Sequence, residues 1–373
     1  MKVEHKIQMV DLRSQFLKIE DEVMSEIKKV IDSTAFINGP SVKEFEASLS
    51  EYLGGSKVIG CGNGTDALQI ALMALDLNPG DEVITTPFTF VATCEVIALL
   101  GLKPVFVDID PNTFLLDPSK IEAAITDKTK VIIPVHLYGQ CCDMDQIMSI
   151  AEQHNIFVVE DNAQAIGSKT FYKGEWKKSG TIGHFGCTSF FPSKNLGCYG
   201  DGGAIFTNDQ QLADKVRMIV NHGSKVKYYH EIIGVNSRLD SLQAAVLKVK
   251  LQHLDSYGEA RRNAANTYDD LLKDIDVIQT PVIREGSEHV FHQYTLILKE
   301  GNRDELVEKL RSRDIPCMIY YPVPLHQQSA YKQEGTIEHT EDLTTKVFSL
   351  PMHTELSIEE QMHIIYNLID CLG

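Results

Sequence analysis

Apolar residues in the first part of the chain recur at helical spacing. Phe16, Ile19, Val23, Ile27, Val30 and Ile31 sit among charged neighbours, which predicts one helix over 14–34. Ser41-Val42-Lys43-Glu44 has the spacing of a capping box and predicts a second helix running to residue 53. Beyond it, short apolar runs alternate with helical stretches. Strands are predicted at 57–60, 82–86, 104–107, 130–135 and 156–160, with helices at 64–75, 92–100 and 144–154. This rhythm indicates a mainly parallel sheet with helices on both faces. Strands at 186–190 and 203–207 precede helices at 209–221 and 240–273, the second long enough to bridge two domains. After Pro281 the texture changes. A strand at 293–298, a helix at 304–313, a strand at 317–320 and a final helix capped by Ser357 predict a smaller α+β unit. The expected division is a large domain over 1–250, with the N-terminal helices, and a small C-terminal one over 251–373.

Composition narrows the class. A chain of 373 residues can bury a large core in two domains. Its net charge of −17, from 35 basic and 52 acidic residues, argues against a nucleic-acid surface and against docking on anionic membranes. A polyanionic ligand remains compatible, because pocket charge and net charge are separate quantities. The eight cysteines contain no C-x-x-C pair and read as reduced thiols in a cytoplasmic protein. The opening Met1-Lys2-Val3-Glu4-His5-Lys6 is polar with no apolar run behind it, and no stretch reaches membrane-spanning length.

The chemistry centres on Lys194, in Phe190-Phe191-Pro192-Ser193-Lys194-Asn195-Leu196-Gly197. Two aromatics and a proline precede it and a glycine-rich turn follows. That setting desolvates an ammonium and lowers its pKa, as a Schiff-base lysine requires; the plainer reading is a lysine lying over the two rings. Asp161 ends the buried-looking strand at 156–160, a common place for catalytic groups, or else caps the next turn. An activated lysine and an acid facing a pyridine nitrogen are the two parts a pyridoxal-phosphate enzyme needs. Gln164 can donate to a ring oxygen or end the turn. Gly62-Asn63-Gly64-Thr65-Asp66-Ala67 fits the dinucleotide pattern G-x-G-x-x-A. Asp81 and Glu82 precede the next strand instead of ending it, which weakens a reading as an NAD-dependent oxidoreductase. What survives is a glycine turn into a helix N-terminus, suited to one phosphate or simply a tight turn. Ser189 can bind that phosphate or pair with backbone. Phe90 can stack on a ring or fill core. Arg238, beside Asn236, can hold a carboxylate or phosphate, or cap a helix. The loop from Tyr320 and Tyr321 to His326 is a substrate contact or plain packing. No histidine spacing frames a metal site.

Taken as an ordered set, these runs resemble the DegT/DnrJ/EryC1/StrS sugar aminotransferases of fold type I. Ile37-Asn38-Gly39-Pro40, Pro134-Val135-His136-Leu137-Tyr138-Gly139-Gln140, Glu160-Asp161-Asn162-Ala163-Gln164 and Asn236-Ser237-Arg238-Leu239-Asp240 carry the likeness together with the runs around Gly64 and Lys194. The resemblance covers essentially the whole chain and implies pyridoxal 5'-phosphate (PLP) as cofactor. It makes Lys194 the lysine bonded to the cofactor, Asp161 the partner of the ring nitrogen and Gln164 a neighbour of the ring hydroxyl. Phe90 falls where an aromatic stacks on the ring, and Gly64, Thr65 and Ser189 where the phosphate is held. Asn236 matches a phosphate contact from a neighbouring subunit, which implies a homodimer with shared sites. Arg238, Tyr320 and Tyr321 match positions that approach the sugar. The implied reaction moves the amino group of L-glutamate to a keto carbon, C3, of a nucleotide-linked sugar. UDP-2-acetamido-2-deoxy-3-oxo-glucuronate is the expected acceptor, with dTDP-linked 3-keto or 4-keto sugars as alternatives. A non-catalytic nucleotide-sugar-binding regulator is the reading from another class. Two departures stand out. Asn162 replaces a frequent alanine, and Tyr320-Tyr321 replaces a His-Tyr pair.

Overall fold

Neighbouring residues on a strand point to opposite faces, so the runs Val83-Ile84, Val131-Ile132 and Val158-Val159 require a sheet covered on both sides. The computed structural model, which describes residues 6–373, contains such a sheet, of seven strands. The polar stretch Met1–His5 lies outside the described residues. Helices α1 (Leu12–Lys18), α2 (Glu20–Ser33) and α3 (Pro40–Tyr52) come first. The alternation then runs β1 (Lys57–Cys61), α4 (Gly64–Met73), β2 (Glu82–Thr85), α5 (Ala92–Leu99), β3 (Lys103–Phe106), β4 (Thr129–Ile132), α6 (Met144–His154) and β5 (Phe157–Asp161). A hairpin of β6 (Lys169–Tyr172) and β7 (Glu175–Lys178) leads to β8 (Phe185–Ser189), β9 (Gly203–Thr207) and α7 (Gln210–Ile219).

The strand order is β1-β9-β8-β5-β4-β2-β3, with β9 antiparallel to both neighbours and the other adjacent pairs parallel. Val83, Val131 and Val159 pack under α4, α5 and α7, while Ile84, Ile132 and Val158 face Met144 and Ile147 of α6. Because β5 and β8 are parallel neighbours, their carboxyl ends, Asp161 and Ser189, open on the same edge of the sheet.

A short hairpin of β10 (Ser224–Val226) and β11 (Tyr229–His230) precedes α8 (Ser241–Gln252) and α9 (Leu254–Leu272). Strands β12 (Ile278–Gln279), β13 (Ser287–Glu288) and β14 (Tyr294–Leu298) follow, then α10 (Arg303–Ser312), α11 (Glu338–Thr344), β15 (Val347–Leu350) and α12 (Ile358–Leu372). An antiparallel sheet of order β12-β14-β15 buries Leu296, Leu298, Phe348 and Leu350 against apolar residues of α9, α10 and α12, a core separate from that of the large sheet. Among the described residues no helix is long and apolar enough to cross a membrane.

Several local expectations give way to packing. The helix expected over 14–34 breaks at Ile19, which is buried against Val23, Val246 and Val249. The capping box at Ser41 does not form. Pro40 takes the first helical position, where its missing N–H costs nothing, and Gly39 is the N-cap, its N–H bonded to Ser241 Oγ. The stretch 240–273 is two helices joined at His253, because Leu251 and Leu254 turn into the core shared with α3 and Phe190. The strand expected at 317–320 shrinks to a single bridge between Met318 and Ser349. The box at Ser357 does form, with Glu360 as its reciprocal partner. The hairpin β6–β7 and strand β15 were not anticipated.

Candidate active site

The chain leaves β1 through Gly62 and Asn63 and enters α4. Asn63 Oδ1 accepts the N–H of Asp66 at 2.8 Å and so caps the helix. Gly64 and Thr65, the first two helical residues, line a cavity of about 850 Å³. A Cβ on Gly64 would lie 2.6 Å from Ser189 Cβ, so only glycine lets this helix start approach the end of β8. Ser189 Oγ accepts the N–H of Phe191 at 3.2 Å, which leaves its O–H free to donate. Helix N–H groups, the positive end of the helix dipole and a hydroxyl donor together suit a phosphate.

Asp161 is 5% exposed at the end of β5. Thr93 Oγ1 donates to its Oδ2 at 2.8 Å and the Ala163 N–H to its Oδ1 at 3.1 Å. Burial raises its pKa, while those two hydrogen bonds and the Lys194 charge pull the other way. One residue earlier the strand turns Glu160 to the opposite side, where it is fully buried. There it accepts backbone N–H bonds from Gly180, Ile182 and Gly183 and meets His136 Nε2 at 2.7 Å. Cys142 donates its N–H to His136 Nδ1, so both ring nitrogens are engaged. His136, Cys141 and Glu160 form the one close set of metal-type ligand atoms among the described residues. The 2.7 Å contact is a hydrogen bond, too short for two ligands spread around one ion. The pair braces β5 beneath Asp161, and the backbone N–H of His136 donates to the Asp161 carbonyl at 3.0 Å.

Lys194 sits on the turn after β8, its N–H bonded to Phe191 O at 2.8 Å. Its side chain lines the same cavity as Asp161. The surrounding protein lowers its pKa to about 8, and the Asp161 carboxylate offsets part of that shift. An appreciable fraction of this amine is therefore neutral near physiological pH.

The opposite wall comes from the C-terminal part of the chain. His292, Gln293, Tyr320 and Tyr321 line it. Gln164 ties floor to wall: its Oε1 accepts the Tyr138 N–H at 2.7 Å, and its Nε2 donates to Tyr321 Oη at 3.1 Å. The Tyr138 hydroxyl donates to the Tyr320 carbonyl. Phe90 is 56% exposed at the cavity mouth, its ring 6.5 Å from that of Tyr321.

Gly64, Thr65, Phe90, Asp161, Gln164, Ser189, Lys194, Tyr320 and Tyr321 thus converge on one cavity. Asn236 and Arg238 are not among the residues lining it. Between them, buried Ser237 accepts the Gly62 N–H and donates to Asp66 Oδ2, which fixes the segment beside the start of α4. Thr93, Glu95, Asp201, His292 and Gln293 also line the cavity and were not singled out from sequence. The polar pair His292-Gln293 between Phe291 and Tyr294 was a visible signal. A threonine inside an apolar helix, as at Thr93, gave none.

A model of the DegT/DnrJ/EryC1/StrS aminotransferase family matches residues 17–369. The chain is 49% identical to a "pleiotropic regulatory protein" of Geobacillus stearothermophilus, over 98% of each sequence. It is 48% identical to a UDP-2-acetamido-2-deoxy-3-oxo-D-glucuronate aminotransferase of Pseudomonas aeruginosa, over 94% of this chain and 96% of that one. Identity to a UDP-N-acetyl-3-dehydro-α-D-glucosamine 3-aminotransferase of Acidithiobacillus ferrooxidans is 45%, over 97% of each. Among solved structures, Bacillus subtilis ntda with bound cofactor PMP superposes with a TM-score of 0.91 at 32% identity, covering all of this chain and 86% of that one. PMP is the aminated form of PLP, the cofactor of this family, and the shared architecture is fold type I. With the family model spanning nearly its full length and sequence identity approaching one half, this chain belongs to the DegT/DnrJ/EryC1/StrS aminotransferase family.

Proposed function

We propose that the protein transfers the amino group of L-glutamate to C3 of UDP-2-acetamido-2-deoxy-3-oxo-glucuronate, supplying an amino sugar for bacterial surface polysaccharide, lipopolysaccharide O-antigen among them. The observation that carries the reading is the meeting of Lys194 and Asp161 in one cavity beside a phosphate-type helix start. The acceptor follows the relative from Pseudomonas aeruginosa.

The residues present fit PLP. Gly64 and Ser189 form a cradle that a Cβ would fill, and Asp161 offers a buried carboxylate with no arginine or lysine among the described residues hydrogen-bonded to it. When bound, PLP supplies an electron-accepting ring and the carbon that carries the amino group between substrates. The N–H groups of Gly64 and Thr65 and the Ser189 hydroxyl would hold the phosphate. Asp161, oriented by Thr93 and the Ala163 N–H, would provide the counter-charge for a protonated ring nitrogen, and such an ion pair would relieve the burial of its carboxylate. Gln164 would serve the ring oxygen and Phe90 would stack on the ring; both line the cavity. As a neutral amine, Lys194 Nζ would take up the proton leaving the amino-bearing carbon of glutamate and return a proton in the second half-reaction. Tyr320 and Tyr321 face the sugar.

Charge supports a homodimer with shared sites. Asp66, Glu95, Asp161 and Asp201 line the cavity, and among the described residues Lys194 is the one lysine or arginine there. The cofactor phosphate, the diphosphate, the sugar carboxylate and glutamate are all anions. Asn236 and Arg238, placed outside their own cavity, reach that of a partner subunit, with Asn236 on the phosphate and Arg238 on the sugar. The eight free, buried cysteines fit a reducing, cytoplasmic setting.

The Geobacillus stearothermophilus relative is named for regulation; one second reading is therefore a regulator, here one that binds a nucleotide sugar without turning it over. The intact pair of Lys194 and Asp161 speaks for catalysis. Glutamate-dependent amination across UDP- and dTDP-linked 3-keto and 4-keto sugars decides. The expected result is turnover of the UDP-linked 3-keto uronate. Activity confined to a 4-keto sugar overturns the acceptor, and no half-reaction with glutamate overturns the enzyme reading.

A further inference from the structure

Helix α8 carries a lysine that the chemistry above leaves unused. Lys250 is 1% exposed, and lysine is almost never buried so completely without a paired acid. Its Nζ instead donates to the Gly197 carbonyl at 2.8 Å and lies 5.1 Å from the centroid of the Tyr199 ring. Among the described residues no carboxylate pairs with it. The titratable groups acting on it are the Cys198 thiol and the Arg261 guanidinium, and burial lowers its pKa to about 8. A methionine would fill such a space without desolvating a charge, so the ammonium is a burden on the fold unless it does something else.

Its hydrogen-bond partner, Gly197, shows what that is. Gly197 closes the turn that bears Lys194. Within it, Lys194 N–H bonds to Phe191 O and Cys198 N–H to Phe190 O, each at 2.8 Å. A Cβ on Gly197 would fall 2.3 Å from Pro192 O. Because the turn is closed on itself, its seating depends on what grips it from outside. Phe190 anchors the near end, edge-on to Phe45 with centroids 5.4 Å apart. Asn195 Nδ2 donates to Val290 O at 3.1 Å. Lys250 takes the far end.

We infer that Lys250 is a positioning residue for Lys194: its ammonium draws the Gly197 carbonyl onto α8 and fixes the turn from which Lys194 faces Asp161. The inference rests on Lys194 being the reactive amine of the proposed function. A displacement of about 1 Å at a reacting group can cost on the order of a hundredfold in rate.

Two variants of the holoenzyme test it. Lys250→Met removes the donor, and Lys250→Gln keeps a neutral donor of similar length. The Met variant is expected to melt at or above the wild-type temperature, yet to lose about tenfold or more in kcat with KM little changed. The Gln variant should keep most of the rate. In cofactor-free protein, the pH profile for acylation of Lys194, read by peptide mass spectrometry, should shift in the Met variant; a merely space-filling lysine would leave it in place. Wild-type kcat and an unshifted profile in Lys250→Met would overturn the inference, as would an equal loss in both variants. If Met does not fold, the Gln variant decides alone: a tenfold loss in kcat with an unshifted Lys194 profile defeats the proposal. Full turnover by Lys194→Ala would instead overturn the assignment of Lys194 itself, so the two failures are separable.

Discussion

The floor of the cavity is made from the ends of hydrogen-bonded strands and a capped helix start, whereas the facing wall hangs on loops at 292–293 and 320–321. Floor residues sit on a ladder that cannot slip without breaking several bonds: Asp161 ends β5, Ser189 ends β8, and Gly64 begins α4 against Ser189. The wall is held by ring contacts and single hydrogen bonds. Tyr321 lies 6.3 Å from Phe88, and the Tyr320 carbonyl takes the Tyr138 hydroxyl. Rigid elements position groups more finely than loops do, so on the proposed function the floor anchors the cofactor, Lys194 reaches it from a turn closed by its own hydrogen bonds, and the choice of sugar is free to vary along the wall.

Substitutions can break this division. Lys194→Ala should have the largest effect, a loss of roughly a thousandfold or more in kcat, because the amine proposed to bond the cofactor and move the proton is gone. Retention of normal turnover and of the cofactor's absorbance band in that variant would remove Lys194 from the mechanism. Gly64→Ala comes next. Its Cβ would press on Ser189 at 2.6 Å, a strain of about 1–3 kcal/mol, which should weaken cofactor binding by about tenfold. Titrating PLP into cofactor-free protein measures this, and wild-type affinity would show that the helix start does not hold the phosphate. The smallest effect is expected on the wall. Tyr321→Phe removes the acceptor of the Gln164 bond, worth about 0.5–1.5 kcal/mol, and should move the sugar KM by a few-fold with kcat nearly intact. A collapse of kcat there would mean that the wall, too, does chemistry.

The same contrast separates what sequence reading captures from what it misses. Lys194 and Asp161 were recognisable because their signals are local: an apolar run ending in an acid, and a lysine between aromatics and glycines. The cap of the last helix, Ser357 with Glu360, was equally local and formed as expected. The box at Ser41 had the same spacing and failed, because Pro40 already fixed the start of α3 and Ser241, far along the chain, holds Gly39. Thr93 carried no mark of its place beside Asp161, since that contact joins two elements 68 residues apart.

Periodicity and residue type therefore carried the α/β rhythm and pointed to the glycine turn into α4 and to Lys194 and Asp161 as candidates, because each signal depends on neighbours within a turn or two of chain. Tertiary packing alone decided the helix breaks at Ile19 and His253, the pairing of β15 with β14 and the contact of Gly64 with Ser189. It also placed Arg238 outside its own cavity and buried Lys250 beneath the Lys194 turn. These features arise where distant segments compete for the same space, and a local pattern carries no record of which segment will arrive there.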